Sequence, residues 1–115
     1  MITDGKDWVA SARFAASEAE LLRLANEFIA TWSRDQLAAL PGDCRVKRVE
    51  SLEDLGGLAF ALVRHECSLE PIDHPAILQA MARFFAAAST RGAELRALSR
   101  GFRPFGIPSM TVSRA

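Results

Sequence analysis

Glu66 is the first residue whose position invites chemistry. On a helix beginning at Ser51 it falls, by angle, within the apolar face. A carboxylate held among apolar groups has its ionised form disfavoured, and such a group can serve as acid, base or metal ligand. His65, Cys67 and His74 stand close by in sequence and add metal-capable atoms. Their spacing argues against a centre. His65 and Glu66 are adjacent, so on a helix they point about 100° apart. No His-x-x-Glu-His, His-Glu-x-x-His or paired Glu-x-x-His pattern is present. The expectation is that the helix frays and Glu66 meets water or an arginine, with no metal and no cofactor. His74 then opens a helix, and Cys67 acts as a small hydrophobe at an apolar edge.

Nucleophilic catalysis finds no foothold. Gly-x-Ser-x-Gly is missing, and so is a glycine-rich phosphate loop. The chain has no tyrosine, which removes one common proton donor. The balance therefore leans away from an enzyme.

Two basic clusters offer a different chemistry. Arg45, Lys47 and Arg48 form one, and Arg96, Arg100 and Arg103 form the other, interleaved with Phe102 and Phe105. Arginine with aromatic groups can hold single-stranded nucleic acid by charge and stacking. Against this, 14 basic residues are balanced by 14 acidic ones, giving a net charge of zero. Dedicated nucleic-acid binders usually carry a basic excess. The competing reading is solvated charge paired with Glu50, Glu53 and Glu94.

The elements that must position these residues are helical. Asp7 caps a short helix carrying Trp8, Val9, Ala12 and Ala15 on one side, with Phe14 opposite. Ser17 and Glu20 fit a capping box, and Leu21, Leu24, Ala25, Phe28 and Trp32 follow on one stripe. That helix should reach at least Trp32, and residues 34–40 continue it or restart after Ser33. Pro41-Gly42-Asp43 makes a turn, and residues 44–50 an extended connector. Ser51 caps a third helix, with Leu52, Leu55, Leu58, Ala59, Leu62 and Val63 on a broad apolar face and Phe60 at its edge. Gly56-Gly57 weakens this helix, a cost that close approach of a neighbour would offset. Asp73 caps the last helix, from about residue 74 to Ser99, with Ile77, Met81, Phe84, Ala88 and Leu95 on one face, Leu78 and Phe85 adjoining it, and Gln79, Arg83, Thr90 and Glu94 opposite.

Beyond Gly101 two prolines and a glycine rule out a helix. Phe102, Phe105, Ile107 and Met110 still give that segment more apolar surface than a linker needs.

The expected architecture is all-α: a small antiparallel bundle of three to four helices over residues 1–100, with an extended C-terminal tail over 101–115. At 115 residues this is the size of one domain. No apolar run reaches the ~20 residues that span a bilayer, and no signal-peptide pattern opens the chain, so the expected location is cytoplasmic, with both cysteines reduced. The expected function is a non-enzymatic helical module that contacts a protein partner or a second copy of itself through Phe60, Phe102, Phe105, Ile107 and Met110. Nucleic-acid binding or regulation through 45–48 and 96–103 is the alternative, and a small enzyme or metal protein using Glu66 and His65 is the second.

Overall fold

A computed structural model describes residues 7–44, 48–68 and 75–99. The described elements are helical: α1 (Trp8–Arg13), α2 (Glu18–Ala30), α3 (Arg34–Ala38), a 3-10 turn (Gly42–Cys44), α4 (Leu52–Glu66) and α5 (Pro75–Ser99). The all-α expectation holds.

Each helix start has a chemical reason. Asp7 accepts from the Ala10 amide at 3.0 Å and opens α1. Ser17 and Ser51 accept from the amides of Glu20 and Asp54, both at 3.1 Å. Such caps satisfy amides that the first helical turn leaves without partners. The reciprocal half of the expected box at Ser17 differs. Glu20 accepts from the amide of Ala16, one residue earlier, and Asp54 does the same with Glu50. The full box lies at Ser33–Gln36, where each side chain accepts from the other's backbone amide.

That box also sets the end of α2. The helix stops at Ala30 instead of running through Trp32, because Ser33 starts a separate helix. Thr31 Oγ1 donates to the Phe28 carbonyl at 2.7 Å, satisfying one of the carbonyls freed at the end. The Asp73 cap expected for α5 lies outside the described residues.

α5 is the axis, and α1, α2 and α4 all pack against it. Phe28 of α2 stacks on Phe84 with centroids 4.2 Å apart, while Leu21, two turns earlier, lies near Gly92. On α4, Leu52 lies near Gly92 and Gly56 near Ser89. Both helices therefore run antiparallel to α5. For α1, Trp8 meets Phe84 and Ala15 meets Arg91, so α1 runs parallel to it. Since α2 and α4 point the same way, the chain between them must travel back along the bundle before α4 begins.

The core matches the sequence stripes closely. Leu21, Leu24, Ala25 and Phe28 of α2, Leu55, Ala59 and Leu62 of α4, and Leu78, Met81, Phe84, Phe85 and Ala88 of α5 are buried. Phe28 is the centre of an aromatic group, touching Trp8, Trp32, Phe84 and Phe85. Cys44 and Val49 bring the connector into the same core.

Two expectations about packing need correction. Val63, placed on the apolar face of α4, is 36% exposed. Gly56-Gly57 is not the tightest glycine position. A Cβ built at Gly57 meets nothing within 4 Å, and one at Gly56 meets only Ser89 Oγ at 3.8 Å. The tight position is Gly92, where a Cβ would stand 3.0 Å from Leu52 Cδ2 and 3.5 Å from Leu21 Cδ2. The starts of α2 and α4 both rest on α5 at that point.

Candidate functional site

α4 carries one of the exposed aromatic side chains among the described residues. Phe60 is 71% exposed although its helix neighbours Ala59 and Leu62 are buried. The reason is angular. Leu55, Ala59 and Leu62 form the stripe against α5, and Phe60 stands about 100° past Ala59. Gly57 and Val63 lie three residues on either side of Phe60, so the three share one outward strip. The strip presents a bare backbone at Gly57, a full ring at Phe60 and a partly covered branched side chain at Val63.

Glu66 is exposed at the last residue of α4. His65 is half-buried, and Cys67, the C-cap, is exposed. No group of three or more metal-capable side chains comes together among the described residues. His74 lies outside them.

The basic clusters are only partly in view, since Arg45, Lys47, Arg100 and Arg103 lie outside the described residues. Arg48 stands 3.9 Å from Glu50. Arg96 is held more firmly, with Nη1 2.8 Å from Glu53 and Nε 3.9 Å from Glu18. It thereby ties the end of α5 to the starts of both α2 and α4. The hydrogen bond from Arg96, then a backbone hydrogen bond and the Arg96 charge, hold the Glu53 carboxyl below its ordinary value. The same contact raises Arg96. The two cluster arginines in view, Arg48 and Arg96, are thus matched with Glu50 and Glu53, carboxylates that sequence reasoning set beside them. Phe102, Phe105, Ile107 and Met110 also lie outside the described residues.

Sequence reasoning missed two polar devices. Asn26 of α2 donates to the carbonyls of Leu22 and Val49 at 2.9 Å, and its Oδ1 accepts from the Val49 amide at 2.8 Å. An asparagine amide presents a donor and an acceptor side by side, as a strand's backbone does, so it can pair both polar groups of one extended residue. The pairing fixes Val49 two residues before the cap of α4. Arg91 of α5 is the second device. Its Nε donates to the Ala15 carbonyl at 2.9 Å and its Nη1 lies 3.0 Å from Glu94. It places a cation where the carbonyls of α1 point. The long-range bond of each device has no local signal, because its partner lies 23 or 76 residues away in the chain.

A groove of about 530 Å³ runs along the outer seam between α1 and α5. Arg13 and Phe14 border it on one side, and Arg83, Ala87 and Thr90 on the other. No described helix is long and apolar enough to cross a membrane. Comparison of the chain with family models, with curated proteins and with solved structures finds no match.

Proposed function

We propose that this chain is a helical protein–protein interaction module that pairs with a second copy of itself, through the outward strip of α4. The observation that carries the reading is Phe60, a large apolar side chain left 71% exposed in the middle of a helix whose other face is buried. Covering such a ring removes apolar surface from water at roughly 25 cal/mol per Å². Gly57 supplies the complement. Two α4 helices laid antiparallel about a two-fold axis bring the ring of each copy over the bare backbone of the other, and two-fold pairing is the commonest geometry for identical chains. Zero net charge leaves little repulsion between copies. Cys44 and Cys67 form no disulfide, which suits a cytoplasmic setting.

Sedimentation equilibrium tests the reading. The full chain should show a reversible monomer–dimer equilibrium, and Phe60→Asp should shift it to monomer with helicity and thermal unfolding unchanged. A full chain that stays monomeric at every concentration sinks the proposal. So does a dimer that survives Phe60→Asp but is lost on removal of residues 101–115, which would move the contact to the tail.

A further inference from the structure

We infer that the α1–α5 groove is a second docking surface, and that it takes a short acidic amphipathic helix from another protein. The inference is independent of the α4 strip, which lies on another part of the surface. Arg83, Ala87, Thr90 and Glu94 follow one another at helical spacing along the exposed side of α5, and the end of α1 faces them with Arg13 and Phe14.

Three features specify the occupant. The first is charge. Arg13, Arg83 and Arg91 line the groove against one acid, Glu94, which Arg91 already holds at 3.0 Å. Among the described residues Arg13 and Arg83 have no carboxylate within 4.0 Å, so two guanidinium groups remain for carboxylates of a partner. The second is the floor. Val9, Ala86 and Ala87 are half-buried and small enough to admit apolar side chains from above, and Phe14, 81% exposed, stands as a wall beside them. A ligand made only of charge would leave that apolar surface wet. The third is length. From Arg83 to Glu94 the groove follows three helical turns, about 16 Å, which matches a helical peptide of about eleven residues. Helices that bind in grooves place apolar anchors inward and set their charge at the rim. The chain's own tail is a poor occupant, because Arg100, Arg103 and Arg114 would face arginine.

Selection from a randomised library of peptides of about twelve residues, displayed against the full chain, tests the inference. The enriched peptides should carry two or more acidic residues flanking apolar ones at helical spacing. Arg13→Glu with Arg83→Glu should weaken them by about tenfold or more, and Phe14→Ala should weaken them too, with thermal unfolding unaltered in both. Arg13→Gln with Arg83→Gln gives the same test without charge reversal, should the reversed pair fail to fold. Absence of any enrichment overturns the inference, as do enriched peptides that bind wild type and both double variants equally. Single-stranded oligothymidylate binding more tightly than the peptides, and lost in the double variants, would overturn it in favour of nucleic acid.

Discussion

Phe28 and Phe60 are the same side chain on two helices that run in the same direction against α5, yet one is 3% exposed and the other 71%. α2 turns its phenylalanine into an aromatic group built from α1, α2 and α5. α4 meets α5 through Leu55, Ala59 and Leu62, and leaves its ring outside. The difference separates two uses of apolar surface. On α2 it holds the fold together, and on α4 part of it is left over once the fold is complete.

Substitution at the two positions should therefore give opposite results. Phe28→Ala should cost about 3–5 kcal/mol, the usual range for deleting a buried phenylalanine. Chemical denaturation reads that directly. Phe60→Ala should change stability by no more than about 0.5 kcal/mol while weakening self-association. Comparable losses of stability at both sites would break the distinction.

The next largest effect concerns how α2 places α4. Asn26→Ala removes the bonds to Val49 and leaves its backbone amide and carbonyl without that partner. We expect a loss of about 2 kcal/mol, and faster amide hydrogen exchange at Val49. An unchanged exchange rate would mean that Pro41–Cys44 and the Ser51 cap hold the connector unaided.

Glycine sharpens the contrast further. Gly57→Ala adds a methyl group in open space and should stabilise α4 by about 0.5–1 kcal/mol, raising the melting temperature by a few degrees. Gly92→Ala has the same intrinsic benefit, but Leu52 must move to admit the methyl group, so thermal unfolding should show a smaller gain or a loss. If Gly57→Ala also abolishes dimerisation, the bare backbone is part of the contact.

The smallest effect is electrostatic. Glu53 of α4 is held below its ordinary pKa by Arg96. The unfolded chain therefore binds this proton more readily than the folded one. The stability it contributes is present above the unfolded carboxylate value of about 4.3 and is lost as pH falls through the folded one. Glu53→Gln should flatten that part of the acid limb in a series of thermal melts. The pair is exposed, so the change should be slight.

Much of the fold was legible because it is local. Asp7, Ser17 and Ser51 each name a helix start through contacts three residues away, and 3.6-residue periodicity picks out the stripes that become buried. What was not legible depends on direction and distance. Nothing within α2 says that Asn26 will reach Val49, or within α5 that Arg91 will reach Ala15. Gly92 looked like an ordinary helical position until two leucines from different helices converged on it, whereas in Gly56-Gly57, which looked special, Gly56 has only ordinary contact with Ser89 and Gly57 faces open space. Of the candidate surfaces, Phe60 was visible as the edge of an apolar face. The α1–α5 groove was not, because its two sides lie some seventy residues apart in the sequence.

The arrangement around α5 also bears on how the protein is made. A ribosome adds roughly 5–20 residues each second and delivers the chain from its N-terminal end. α1, α2 and α4 emerge first, and the surface that each is built to cover belongs to the last described helix. For those seconds Phe28, Leu55 and Leu62 have no Phe84, Phe85 or Met81 to meet, and the nascent chain shows its oily stripes to whatever is nearby. Chaperones that shield apolar segments would find their longest opportunity here, and a stall before residue 75 would leave a chain with the caps at Asp7, Ser17, Ser33 and Ser51 already made and no α5 to close the core.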